Sequence, residues 1–470
     1  MVVFVKKIFK SNIVLSTLTQ FLSLLLQFYV IFFILKRIHI TDFAYVSYSI
    51  MGIGIFETIL GAGLTQYIIY KNEICEKELS EIFSVFMLLS IFYFSILLTI
   101  LLCLKIPSIE IFFSIFFILI SIPFIAYNRY MVSIYQKNIE FKKIFISEAF
   151  STIVVFTCIL FCSFFFNYYL ILFSIVYFLR LFFISLYFLK YNKVPKISFS
   201  YNSLIYYSKV QFIKDYSFFT FLKYFVSSID LWLTSLFFNK NIFAQFSYSR
   251  KLYDNCLNIL KIPLGKLVFS EIVHLKNNNN NQQHTIDKYV FITTSFFFFT
   301  FFLLNTLPDS FFLNLFGIQW NDGINYLKTF SFGLPFLYIS ILGGEILKAH
   351  GELKGLSVWS TFQIILTIIV FSIYSFISFD LLLKFLIFLR SVSILFFFNF
   401  FKFESHQELK HLFKYKVLRN LVIVFLLVFV MNFLAMNLQS NHYNIIFILL
   451  TSAYTLFLFV QFKITFNKYY

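Results

Sequence analysis

Fourteen apolar runs of about 19 to 24 residues follow one another along this chain, each long enough to cross a hydrocarbon layer roughly 30 Å thick. They lie near 13–35, 43–66, 82–104, 109–130, 144–166, 168–189, 216–238, 242–265, 289–307, 325–347, 356–378, 381–401, 418–437 and 444–462. The runs are continuously apolar and do not alternate with a period of two, so each reads as a helix and not as a strand of a β-barrel. No single water-soluble core can hide this much apolar surface. Of the 470 residues 60% are hydrophobic, 23% aromatic and 13% charged, against about a quarter charged in an ordinary soluble domain. The expected fold class is an all-α polytopic membrane protein with about 14 transmembrane helices, which excludes soluble enzymes, nucleic-acid-binding modules, secreted disulfide scaffolds and single-span receptors.

The formal charge of +17 would suit a nucleic-acid partner, but in a membrane protein excess Lys and Arg marks the cytoplasmic loops, and no nucleic acid is expected here. Alternate loops carry the cations: Lys6, Lys7 and Lys10; Lys71 and Lys77; Lys137, Lys142 and Lys143; Lys190 to Lys214; Lys266 to Lys288; Lys348 and Lys354; Lys402 to Arg419; Lys463 and Lys468. The remaining loops hold little beyond Lys36, Arg37, Lys105 and Lys240, so both termini are expected in the cytoplasm. The run at 13–35 is too long for a signal-peptide core and lacks a small-residue cleavage site, and it is read as the first span. Cys75, Cys103, Cys158, Cys162 and Cys256 have no paired loop spacing, so neither a disulfide framework nor a metal site is expected. The Asn-rich tract 277–283 reads as a solvated cytoplasmic loop.

An internal repeat organises the runs. Phe43-Ala44-Tyr45-Val46-Ser47-Tyr48-Ser49 recurs as Phe243-Ala244-Gln245-Phe246-Ser247-Tyr248-Ser249 at the start of the second and eighth runs. Glu140-Phe141-Lys142 matches Glu352-Leu353-Lys354 after the fourth and tenth, and Phe178-Leu179-Arg180 matches Phe388-Leu389-Arg390 in the sixth and twelfth. Three matches in order, each six runs apart, predict two six-helix bundles at 1–190 and 216–402, a cytoplasmic linker at 191–215, and two additional helices in 403–470. An even repeat length gives both halves the same orientation, with an axis along the membrane normal and a cavity between them.

Charges inside the runs are the candidate site. The chain uses 32 Lys and 6 Arg, yet Arg180, Arg250 and Arg390 fall near the middle of runs and Arg129 in the inner third of another. An Arg at that depth costs on the order of 3 kcal/mol and faces a bundle interior or a watery cavity. A planar guanidinium also grips phosphate oxygens in a way an ammonium cannot. The four arginines therefore read either as an anionic-headgroup site or as salt bridges that fix the bundle. Asp230 shares a depth with Arg250 across a short turn, and Asp254 lies four residues after Arg250, so both compete for it; Asp230 alternatively holds a proton or cation itself. Glu57 and Glu345 read as pairing or snorkelling residues, with ion coupling as their alternative role, and a bend is expected at Gly343-Gly344. Lys251 points to a different helix, and His350 has no metal-ligand neighbours.

With its fourteen runs, two six-helix halves and short outer loops, the chain resembles the multidrug, oligosaccharidyl-lipid and polysaccharide exporter superfamily, and within it the polysaccharide (O-antigen type) flippases. Local carriers are Ser228-Ile229-Asp230 before the short turn, Ala244-Gln245-Phe246-Ser247-Tyr248 after it, and Leu315-Phe316-Gly317 with Tyr326-Leu327-Lys328. The resemblance implies a non-enzymatic transporter of the bacterial inner membrane that moves an undecaprenyl-pyrophosphate-linked glycan to the periplasmic leaflet. It implies no cofactor, coupling to H+ or Na+, contact with membrane lipids, and a polysaccharide polymerase and chain-length regulator as partners. Many relatives carry basic residues in the first span where this chain has only Gln20 and Gln27. The alternatives are a multidrug or cation antiporter of the same superfamily, which would normally stop at twelve spans, and an O-antigen polymerase, whose large basic outer loop has no counterpart between Leu307 and Tyr326. A major-facilitator transporter would need a Gly-, Asp- and Arg-rich loop where Lys71-Asn72-Glu73-Ile74-Cys75 stands.

Overall fold

The computed structural model describes residues 22–191 and 210–395, apart from 24, 28, 72–73, 104–105, 139, 278–282, 351–352 and 375–377. Among these residues the regular structure is entirely helical. A π-helical turn, Val30–Ile34, and a 3-10 turn, Leu35–Arg37, precede α1 (Ile40–Tyr70), α2 (Glu76–Cys103), α3 (Ile109–Leu119), α4 (Ile122–Lys137), α5 (Phe141–Phe165), α6 (Tyr169–Tyr191) and α7 (Gln211–Phe237). Then follow α8 (Lys240–Asn277), α9 (Gln283–Thr306), α10 (Asp309–Phe316), α11 (Asn321–Ser331), α12 (Leu334–His350), α13 (Leu353–Tyr374) and α14 (Phe379–Leu395). The runs at 418–437 and 444–462, the segment 403–470, Lys6, Lys7, Lys10, Gln20, Glu352 and most of the tract 277–283 lie outside the described residues.

Seven described helical stretches, with α3 and α4 together counting as one, are long and apolar enough to cross a membrane, and α11 with α12 makes an eighth if that bent pair is one span. They coincide with expected runs two to six, nine, ten and eleven, so the chain is an all-α, multi-pass membrane protein. Helices α7 and α8 occupy the seventh and eighth runs but are too polar to pass the same measure. Large apolar side chains stand on the outside: Phe92, Leu102, Phe161 and Phe164 are all more than 60% exposed, which only a hydrocarbon surround makes favourable. Acidic residues open several helices, among them Asp42, Glu110 and Asp380, where the helix dipole favours negative charge.

The helices gather into two compact units, Met1–Ser247 and Tyr248–Tyr470, the division falling inside α8. Helix α7, expected to open the second half, packs along α1 in the first unit, and the expected linker lies almost wholly outside the described residues. Close approach of α1 and α7 depends on glycine: a Cβ at Gly54 would sit 2.8 Å from the Tyr224 hydroxyl, and one at Gly63 would meet the Ile213 carbonyl oxygen at 2.9 Å.

Each unit contains one interrupted span. In the first, Ile120 and Ser121 separate α3 from α4 just before Pro123; in the second, Phe332 and Gly333 separate α11 from α12 just before Pro335, with a bend of 56°. Proline lacks the N–H that would continue the ladder, and its ring crowds the preceding turn. Pro123 and Pro335 are 212 residues apart, the same offset that relates Glu140 to Glu352. The bend expected at Gly343-Gly344 is not there, since both glycines lie inside continuous α12: glycine weakens a helix without removing a hydrogen bond, whereas proline removes one. At the end of α10, Gly317 has φ 98°, a left-handed conformation that explains the glycine of the Leu315-Phe316-Gly317 segment.

Candidate functional site

In the first unit the site is built around Glu57, midway along α1. Arg129, on α4, donates from Nη2 to Glu57 Oε2 at 3.2 Å, and Tyr177, on α6, donates from its hydroxyl to Glu57 Oε1 at 3.1 Å. Both carboxylate oxygens are thus engaged, yet the Arg129 side chain keeps 50% of its surface and Glu57 30%. Exposing a charged pair with that much accessible surface to lipid would cost each charge several kcal/mol, and the pair is carried on three apolar spans. Arg180 follows Tyr177 by one turn of α6; Glu148 and Tyr177 lie within its electrostatic range, and it makes no hydrogen bond to a described residue.

Aromatic side chains frame Glu57. Tyr93 donates to the carbonyl of Gly52 at 2.7 Å and Tyr224 to that of Met51 at 2.8 Å, so both phenols are pinned to the α1 backbone. Phe56 stacks on Tyr93 with centroids 4.8 Å apart. Asp230, on α7, is fully buried, and its Oδ1 accepts from the Leu231 N–H at 2.9 Å. Just past the C-terminal end of α1, the Lys71 ammonium bonds Glu78 at 2.6 Å, which holds Lys71 above the usual lysine pKa, and Lys137 donates to the Lys71 carbonyl at 2.9 Å.

In the second unit the charges follow α8. Arg250 Nε lies 3.4 Å from Asp254 Oδ2, and its guanidinium sits 5.2 Å from the Phe330 ring and 5.8 Å from that of Tyr253, two rings that stack on each other. Of the two carboxylates expected to compete for Arg250, Asp254 lies within ion-pair distance of it. Two turns beyond Asp254, the exposed Lys261 feels Asp254, Arg250, Lys348 and Glu345. Glu345 pairs with Lys348 at 2.7 Å. This group counts three cations, Arg250, Lys261 and Lys348, against two carboxylates. Arg390, on α14, donates to Thr367 Oγ1 on α13 at 3.0 Å. Beside the α11–α12 bend, Phe332, Phe336, Ile387, Phe388 and Val392 line a cavity of about 520 Å3.

Sequence reasoning missed Lys261 and Glu148. Lys261 stood near the end of an expected span, but α8 continues to Asn277 and places it mid-helix. Among the described residues no cluster of His, Cys, Asp and Glu could hold a metal ion.

Residues 34–325 match the family described as "Polysaccharide biosynthesis protein". No curated protein matches the sequence. Among solved structures, the chain is similar to the lipid II flippase MurJ in an inward closed conformation, with TM-score 0.59 and 18% identity over 98% of each chain. It is also similar to an inward-facing multidrug resistance MATE family transporter of the MOP superfamily, with TM-score 0.59 and 12% identity over 84% of this chain and 95% of that one. A MOP superfamily transporter from Pyrococcus furiosus gives TM-score 0.60 and 13% identity over 86% and 97%. The fold is that of these transporters.

Proposed function

Because the chain belongs to the polysaccharide biosynthesis protein family, we propose that it is a flippase for undecaprenyl-pyrophosphate-linked oligosaccharide, an O-antigen or capsule repeat unit. It carries this lipid from the cytoplasmic to the periplasmic leaflet of the bacterial inner membrane by alternating access, coupled to H+ or Na+, with both termini in the cytoplasm. It performs no catalysis; a polysaccharide polymerase and chain-length regulator use the product.

The observation that carries this reading is the cation excess along α8. A pyrophosphate bearing about two negative charges does not enter hydrocarbon unaided, since even one ion loses several kcal/mol on leaving water. Arg250 and Lys261, with Arg390 on α14, replace that hydration with charge-assisted hydrogen bonds. The rings of Phe330 and Tyr253 lie within cation–π range of the Arg250 guanidinium, whose planar fork suits phosphate oxygens. The apolar cavity at Phe332 and Phe388 suits hydrocarbon better than sugar.

Complementation of a flippase-deficient strain tests this. Arg250→Gln and Arg390→Gln are expected to abolish surface glycan with protein still in the membrane. Full surface glycan from both variants would make these arginines structural and remove the anionic-site reading.

A further inference from the structure

Charge balance separates the two units. Along α8 the cations outnumber the carboxylates, whereas in the first unit Arg129 is matched by Glu57 at 3.2 Å and Arg180 has Glu148 within electrostatic range. An anion at Arg129 also meets the paired Glu57 carboxylate, whose repulsion offsets much of the attraction of the guanidinium. Its remaining hydrogen-bonding capacity is of another kind. Guanidinium has five N–H donors and carboxylate about four acceptor positions, of which the 3.2 Å and 3.1 Å bonds use few. A neutral Glu57–Arg129 pair with spare donors and acceptors side by side, partly exposed and close to the rings of Tyr177 and Tyr224, matches a group that is itself donor and acceptor with an apolar face. A pyranose is such a group: its vicinal hydroxyls donate to carboxylate and accept from guanidinium, and its C–H face lies on an aromatic ring.

We propose that Glu57, Arg129 and Tyr177 form a binding site for uncharged sugar residues of the transported oligosaccharide, distinct in chemistry from the cationic positions that take the pyrophosphate. The proposal rests on the flippase reading. Glu57 accepts from one sugar hydroxyl while Arg129 donates to its neighbour, and Tyr177 keeps the carboxylate oriented, as a positioning residue. The site selects by hydroxyl geometry and not by charge.

The test uses the full chain in nanodiscs and two probes: inorganic pyrophosphate, and the free oligosaccharide released by mild acid from the lipid fraction of the native host. Hydrogen bonds to charged groups dominate both sites, so loss of one is expected to weaken the matching probe about tenfold. Glu57→Gln and Arg129→Gln should lose the oligosaccharide and keep pyrophosphate affinity within about twofold, and Arg250→Gln should do the reverse. Tyr177→Phe removes one hydroxyl without emptying space and should weaken only the oligosaccharide. Loss of pyrophosphate binding in Arg129→Gln would place Arg129 in the anion site and overturn the proposal, as would oligosaccharide binding unchanged in Glu57→Gln and Arg129→Gln. A parent protein that binds pyrophosphate but no oligosaccharide overturns the sugar site alone; one that binds neither removes the flippase reading itself.

Discussion

The phenol of Tyr224 occupies the place a side chain at position 54 would need: a Cβ built on Gly54 falls 2.8 Å from its hydroxyl oxygen and 2.9 Å from a ring carbon. The same hydroxyl donates to the Met51 carbonyl one turn earlier, so Tyr224 cannot withdraw without breaking a bond in a setting that offers few substitutes. Gly54→Ala gains about 1 kcal/mol of helix propensity but forces the ring aside, and overpacking of this kind costs about 1–3 kcal/mol. The expected outcome is a lowered melting temperature in detergent for Gly54→Ala, a larger drop for Gly54→Leu, and partial recovery of both on adding Tyr224→Leu. Recovery absent from the double variants would show that the contact does not limit helix approach.

A buried polar exchange joins α4 to α6. Asn128 donates from Nδ2 to the Leu181 carbonyl at 2.9 Å and accepts from the Ser185 hydroxyl at 2.8 Å. Ser185→Ala leaves the Asn128 amide oxygen without its donor, at a cost of about 1–3 kcal/mol. Replacing both, with Asn128→Leu and Ser185→Ala, removes the unmatched group together with its partner and should destabilise less than the sum of the single changes. Thermal unfolding of the four proteins measures the coupling; additive losses would refute it.

Those two contacts show what the sequence makes legible. Span positions follow from apolar length alone, because the bilayer imposes one dimension on every run, and the helices found match the expected ones to within a turn or two at most ends. Pairing between spans depends on the rotation of each helix about its axis, and a uniformly Phe- and Leu-rich run carries little rotational signal. Glu57 therefore read as a residue paired or snorkelling towards the cytoplasmic side, although it joins Arg129 and Tyr177 from 72 and 120 residues away. Arg250 and Asp254 were easier, being four apart on one helix face. The bend lies before Pro335 and not at Gly343-Gly344, because proline removes a helix hydrogen bond and glycine does not.

Helix α2 carries exposed cysteines at both limits, Cys75 just before its first residue and Cys103 as its last. Lysines cluster beside Cys75, and the positive-inside rule puts that end in the cytoplasm. A membrane-impermeant maleimide applied to intact cells should label a variant retaining only Cys103 and spare one retaining only Cys75, with both labelled after permeabilisation. The opposite pattern would invert the proposed topology.

The broken span in the second unit joins backbone shape to the charged site. Pro335 is the second residue of α12, and the break just before it lies two residues from Phe330, whose ring supports the Arg250 guanidinium. Pro335→Ala restores an N–H and removes the ring's clash, a change that favours a straight helix by up to about 3 kcal/mol. Straightening would carry Phe330 away from Arg250 and disturb the stack with Tyr253, now at 5.2 Å. Gly333→Ala is the control: a Cβ there meets the Phe330 carbonyl at 3.4 Å and Ile387 and Tyr253 at 3.7 Å, ordinary contacts that leave the bend in place. Pro335→Ala is therefore expected to equal or exceed the parent in thermal stability while losing most surface glycan in complementation, and Gly333→Ala to resemble the parent in both. If Pro335→Ala supported full export, the bend would have no part in presenting Arg250, and its recurrence at Pro123 would reflect helix packing alone.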